Sequence, residues 1–89
     1  MTSRTTASFR KAFDTLPEDI QERAREAFNL FSENPAHPSL RLKQVHSTEP
    51  IYSARITRDY RALARRHADV WIWFWIGSHE DYNKIITQF

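Results

Sequence analysis

Apolar residues recur along this chain with two periods, and the change of period divides it. Phe9, Phe13 and Leu16 are spaced i, i+4, i+7, one stripe of a short helix over residues 6–14. Pro17 suits the opening turn of a second helix, where its missing N–H costs little, and Thr15 with Glu18 matches a capping box. Ile20, Ala24, Ala27, Phe28 and Phe31 form the buried stripe of that helix, which runs to about residue 32, where Asn34-Pro35 stops it. Two helices joined by so short a turn predict an antiparallel hairpin. From Leu40 the period becomes two. Residues 40–45 read as a half-exposed strand, with Leu40 and Leu42 on one side and Arg41 and Lys43 on the other. Residues 51–56 place Tyr52, Ala54 and Ile56 opposite Ser53 and Arg55. Residues 60–66 place Tyr60, Ala62 and Ala64 inward and Arg61, Leu63 and Arg65 outward. The turns at 57–59 and 67–69 are short, which favours antiparallel neighbours.

The next stretch drops the alternation. Residues 70–76, V-W-I-W-F-W-I, are seven consecutive apolar residues, three of them tryptophan. A bilayer span needs about 20, so this is a strand covered on both faces. A regular pleat would point Trp71, Trp73 and Trp75 one way and Val70, Ile72, Phe74 and Ile76 the other. One side meets the helical hairpin. The opposite side needs either a second layer from this chain or something from outside it, so the tryptophan row is core or, in part, a partner groove. Gly77, the only glycine, follows. Ser78 then reads as an N-cap with Asp81 at N3, opening a helix that carries Tyr82, Ile85, Ile86 and Phe89. The expected fold is α+β: an N-terminal antiparallel helical hairpin packed on a four-stranded antiparallel sheet, with a short C-terminal helix.

Length changes this picture little: 89 residues make one domain, 1–89, with residues 1–7 expected to be flexible. There is no cysteine, so neither a disulfide framework nor a thiolate metal site is possible. The first eight residues are polar and form no signal peptide or anchor; a cytoplasmic protein is expected, with no membrane association.

Charge changes it more. The formal net charge is only +2, but residues 41–67 carry seven basic residues against two acidic ones, while residues 17–33 carry two basic against five acidic. Ten of the thirteen cations are arginine, whose planar fork suits phosphate. Cations on strands beside aromatics are a footprint of nucleic-acid binding. Arg55 becomes a cross-strand neighbour of Arg61 if the hairpin turn centres on Arg58-Asp59. His79, at the start of the last helix, is a candidate acid or base, since histidine exchanges protons near neutral pH. The four histidines have no metal-ligand spacing, so no metal and no cofactor are expected.

The segments F-R-K-A-F-D-T-L-P, N-P-A-H-P-S-L-R-L-K-Q-V, Y-S-A-R-I-T-R-D-Y-R-A-L and W-F-W-I-G-S-H-E-D-Y-N-K-I-I, in that order, resemble a RelE/ParE-superfamily toxin of a bacterial type II toxin–antitoxin system. The resemblance implies a small toxin held inactive by a cognate antitoxin in a hetero-oligomer. Its RelE-like branch cleaves messenger RNA, typically on the ribosome, by metal-free transesterification. Its ParE-like branch inhibits DNA gyrase by binding, and a degenerate member would keep only the antitoxin surface. On the RelE-like reading Arg61 falls where these nucleases keep an arginine for the scissile phosphate. His79 falls at an arginine-or-histidine position, and Lys43 falls near residues that grip the substrate backbone. Arg55 is a second phosphate ligand, and Tyr82 either stacks on a base or belongs to the core.

Overall fold

The tryptophan-rich strand lies inside a sheet rather than at its edge. The computed structural model describes residues 1–88, and the expected place of Phe89 on the last helix lies outside them. The elements are β1 (Thr2–Thr5), α1 (Ala7–Asp14), α2 (Glu18–Glu33), a 3-10 turn (Pro38–Leu40), β2 (Lys43–Gln44), β3 (Ile51–Thr57), β4 (Tyr60–His67), β5 (Val70–Ser78) and α3 (His79–Ile86). The sheet order is β1-β5-β4-β3-β2, with β1 parallel to β5 and the other pairs antiparallel. The expected four-stranded meander is therefore β2 to β5, and a fifth strand makes the sheet mixed. The expectation that residues 1–7 are flexible is corrected for Thr2–Thr5. These residues are polar and exposed, and they are held through backbone pairing with residues 70–73.

The helices start and stop for local reasons. Thr6 caps α1 by accepting the Phe9 N–H at 3.1 Å, and Ser78 caps α3 by accepting the Asp81 N–H at 3.1 Å. Glu18 and Asp19 open α2, and Glu80 and Asp81 open α3, where the helix dipole favours carboxylates. The capping box expected from Thr15 and Glu18 does not form. Pro17 is the N-cap of α2 without a side-chain bond, and the Thr15 hydroxyl instead donates to the Ala12 carbonyl at 2.7 Å. The strand expected over 40–45 shrinks to β2. Leu40 closes the 3-10 turn and Arg41 takes a left-handed conformation at φ 45°, which breaks the pleat.

One irregularity decides what the tryptophans do. Leu63 pairs with Trp75 and Ala64 with Trp73, so Phe74 is an extra residue on β5, a β-bulge. The bulge reverses the sense of the alternation. Trp71 and Trp73 face α1 and α2 together with Ile76, while Trp75 faces the other way, beside Leu63. The three indoles expected on one side are thus split between the two faces, and Ile76 joins the side opposite to the one expected. On the side facing α1 and α2 Phe31 meets Trp71 and Trp73 edge-on, with ring centroids 5.1 Å apart in each case, and Phe28 meets Trp73 at 5.0 Å. Such edge-to-face pairs add about 0.5–1.5 kcal/mol each beyond the area they bury.

The second face is covered by this chain's own α3. Tyr82 is buried against Ile51 and Leu63, with Trp75, Ile85 and Ile86 around it. Its hydroxyl donates to the Oγ of Ser53, which is itself buried, at 3.2 Å. Packing α3 there brings its first residue to the β3–β4 turn. The His79 N–H donates to the Asp59 carbonyl at 2.7 Å.

Candidate functional site

The β3–β4 hairpin turns through two residues, Arg58 and Asp59, and Arg55 stands directly opposite Arg61 in register. Side chains of such a pair lie on the same face, so two guanidinium groups stand next to each other. Tyr60 pairs with Ser78, so the same turn lies beside the start of α3. A cavity of about 500 Å³ opens at this corner, lined by Arg41, Arg55, Arg58, Asp59, Arg61 and His79. Among the described residues the ion pairs are Arg23–Glu26 and Arg65–Glu49, so none of the four cavity arginines is neutralised by one.

Arg61 is held rather than free. Its Nη1 donates to the carbonyls of Thr57 at 2.6 Å, Tyr60 at 3.0 Å and Arg58 at 3.3 Å, which fastens the turn beneath the cavity. Burial, then the Arg55 and Arg41 charges, lowers its pKa from the ordinary value, while Tyr82 and Asp59 act in the opposite direction. Like charges gathered in a partly desolvated corner are a standing cost that a bound anion would relieve.

His79 rests its ring 5.6 Å from that of Tyr82, and the Asn83 amide reaches its Nδ1 at 3.2 Å. An amide N–H can only donate, so in the neutral ring Nδ1 accepts it and the ring proton sits on Nε2. Gly77 contributes space. A Cβ at this position would lie 2.7 Å from Trp75 Cζ2 and 2.9 Å from Cη2, so the indole can lie flat over the strand only because no side chain is there. Trp75 in turn lies 6.5 Å from Tyr82, ring to ring.

Of the residues singled out in the sequence, Arg55, Arg61 and His79 converge on this cavity. Lys43 does not line it. Lys43 sits one strand further out, paired with Ser53, exposed on the same face of the sheet. Tyr82 is 3% exposed, so it supports His79 from below and offers no open ring face for a base. Three lining residues were not singled out from the sequence. Arg58 and Asp59 read only as a turn, and Arg41 as an outward strand residue. The usable signal was the pair of tight hairpins, which forces the 58–59 turn against residue 79. Two other histidines do local work: His37 and His46 accept backbone N–H groups of their own loops. Among the described residues no group of three His, Asp or Glu side chains could hold a metal ion. No helix among them is long and apolar enough to cross a membrane.

Comparison with known proteins agrees with this architecture. The profile of the ParE-like toxin domain matches residues 18–84, from the start of α2 into α3. The chain belongs to the ParE-like toxin domain family. No curated protein matches by sequence. Among solved structures, the domain superposes on the RelB–RelE antitoxin–toxin complex of Methanococcus jannaschii with a TM-score of 0.75 at 14% identity, covering 92% of this chain and 96% of that one. YafQ of E. coli BL21(DE3) gives a TM-score of 0.73 at 10% identity, covering 90% and 94%. The RelBE2 toxin–antitoxin complex of Mycobacterium tuberculosis gives 0.70 at 24% identity, covering 88% and 96%. At these identities the likeness is one of fold, and the ParE-like toxin domain's own side chains must supply the functional reading.

Proposed function

We propose that this ParE-like toxin domain is the toxin of a type II toxin–antitoxin pair and acts as a RelE-like endoribonuclease on messenger RNA, in association with the ribosome. The observation that carries this is the cavity where Arg41, Arg55, Arg58 and Arg61 meet His79 with a single carboxylate, Asp59, among them. RNA transesterification needs a proton removed from the 2′-hydroxyl, negative charge stabilised on a pentacoordinate phosphorane, and a proton delivered to the leaving 5′ oxygen. Arg61 and Arg55 stabilise the phosphorane; a preorganised donor at developing charge is worth roughly 10²–10³ in rate. His79, in its imidazolium form, gives the Nε2 proton to the 5′ oxygen as the P–O5′ bond breaks and is left neutral, a role worth roughly 10²–10⁴. Asp59 accepts the 2′-hydroxyl proton as the 2′-O–P bond forms. Lys43, outside the cavity, contacts a neighbouring stretch of backbone. A cognate antitoxin holds the domain inactive in a hetero-oligomer; toxins of the same fold occur in antitoxin–toxin complexes of Methanococcus jannaschii and Mycobacterium tuberculosis.

Induction of the wild type and of His79→Ala and Arg61→Ala in a host lacking the antitoxin tests this. The wild type arrests growth with degraded transcripts, and both variants relieve the arrest; full toxicity of both variants overturns the assignment. A second reading, inhibition of DNA gyrase by binding, draws on the family match to ParE-like toxins. It predicts linearised DNA and an SOS response with intact transcripts, and indifference to His79→Ala.

A further inference from the structure

Arg41 occupies a backbone conformation that its side chain does not explain. It follows the 3-10 turn at φ 45° and ψ 43°, a left-handed geometry that helix and turn ends normally assign to glycine. An L-residue with a Cβ pays for this conformation, and such strain persists where the surroundings over-determine it, often at functional sites. No local gain offsets it here. The Arg41 N–H bonds the Pro38 carbonyl, a contact glycine would make equally well, and the residue takes part in neither ion pair of the described residues.

What the conformation does is place a cation. Arg41 lines the corner cavity with Arg55, Arg61 and His79, and its charge is among those that lower the Arg61 pKa. Arg41 also lines a cavity of about 510 Å³ with Arg55 and Arg58, and another of about 590 Å³ with Tyr52, Arg66 and Trp71. A ligand held by Arg41 and the corner cavity together therefore extends beyond a single phosphate. A regular strand through 40–45 would instead have turned residue 41 with the pleat.

We propose that Arg41 is a substrate-binding residue of this site, contacting the phosphate adjacent to the one gripped by Arg55 and Arg61 on a single-stranded RNA. This rests on the ribonuclease reading above and adds a residue and a minimum ligand length to it.

The test is the salt dependence of binding of the full chain to a short fluorescein-labelled 2′-O-methyl RNA, which cannot be cleaved because its 2′ oxygens are blocked. For single-stranded nucleic acid, each neutralised phosphate contributes about 0.7 to the slope of log K against log salt. Arg41→Gly lowers that slope by about 0.7 relative to the wild type and weakens binding, while its melting temperature equals or exceeds the wild type's because glycine relieves the left-handed strain. Arg41→Asn, also tolerant of that conformation, shows the same loss. Arg41→Lys keeps the slope, as does Lys11→Ala on the exposed side of α1, which removes a charge elsewhere. An unchanged slope and affinity in Arg41→Gly and Arg41→Asn overturns the proposal while leaving the ribonuclease reading intact. Absence of salt-dependent binding by the wild type overturns both.

Discussion

Gly77→Ala is the sharpest perturbation of the frame beneath the site. The added methyl would meet Trp75 Cζ2 at 2.7 Å and Cη2 at 2.9 Å, separations that carbon atoms do not tolerate without movement. The obstructing atoms belong to a rigid ring packed near Tyr82, not to a flexible side-chain end. Overpacking of this kind costs about 1–3 kcal/mol. Against it stands the intrinsic gain of alanine over glycine within a strand, about 0.5–1 kcal/mol. The net loss is about 1–2 kcal/mol, which for a domain of this size lowers the melting temperature by about 5–15 °C. Thermal unfolding followed by far-ultraviolet circular dichroism measures it. The decisive arm is the same substitution in a Trp75→Leu background, which removes the ring atoms in question. There Gly77→Ala becomes neutral or stabilising by a few degrees. A neutral or stabilising effect in the wild-type background, or an equal loss in both backgrounds, refutes the placement of the indole over Gly77.

Other outcomes follow from the same geometry. Tyr82→Phe and Ser53→Ala each strand one hydroxyl of a buried pair and cost about 1–2 kcal/mol in urea unfolding, whereas the double variant costs less than the sum because neither partner is left over. Removing residues 1–5 strips β1 from the edge of β5 and leaves an apolar strand unpaired, so the truncated domain self-associates at concentrations where the full chain stays monodisperse, as light scattering would register. Glu49→Ala breaks an ion pair whose side chains are about half exposed, and shifts stability by less than about 1 kcal/mol, an effect that disappears in high salt. Arg61→Ala both removes a cation and releases three turn carbonyls, so faster amide exchange at residues 57–60 accompanies its loss of activity, while His79→Ala loses activity without that change.

How much of this was legible in the residues depended on whether side chains or backbone made the decision. Side-chain periodicity exposed α1, α2 and α3, and the Ser78 cap formed as its sequence suggested. The facing of Arg55 and Arg61 followed from one premise, a two-residue turn at Arg58-Asp59. Backbone decisions were hidden. β1 is four polar residues whose only contribution to the sheet is peptide pairing, so no hydrophobic pattern announces it. The bulge at Phe74 leaves no trace in a run where every residue is apolar, yet it sends Trp75 to the face where it supports α3. Arg41 is another such case, because a left-handed arginine is not what a leucine–arginine alternation implies. Three of the six cavity-lining residues were therefore found only once the turns were placed in space.

The chemistry of RNA ends produced on induction tests the proposed reaction most directly. Transesterification through the 2′ oxygen leaves a 2′,3′-cyclic phosphate on one fragment and a free 5′-hydroxyl on the other. Sequencing that discriminates these ends from 5′-phosphates should find them on messenger RNA in cells making the wild type and not in cells making His79→Ala. Transcripts that stay whole, or breaks that carry 5′-phosphates, would contradict an arginine–histidine cavity built to cleave a phosphodiester.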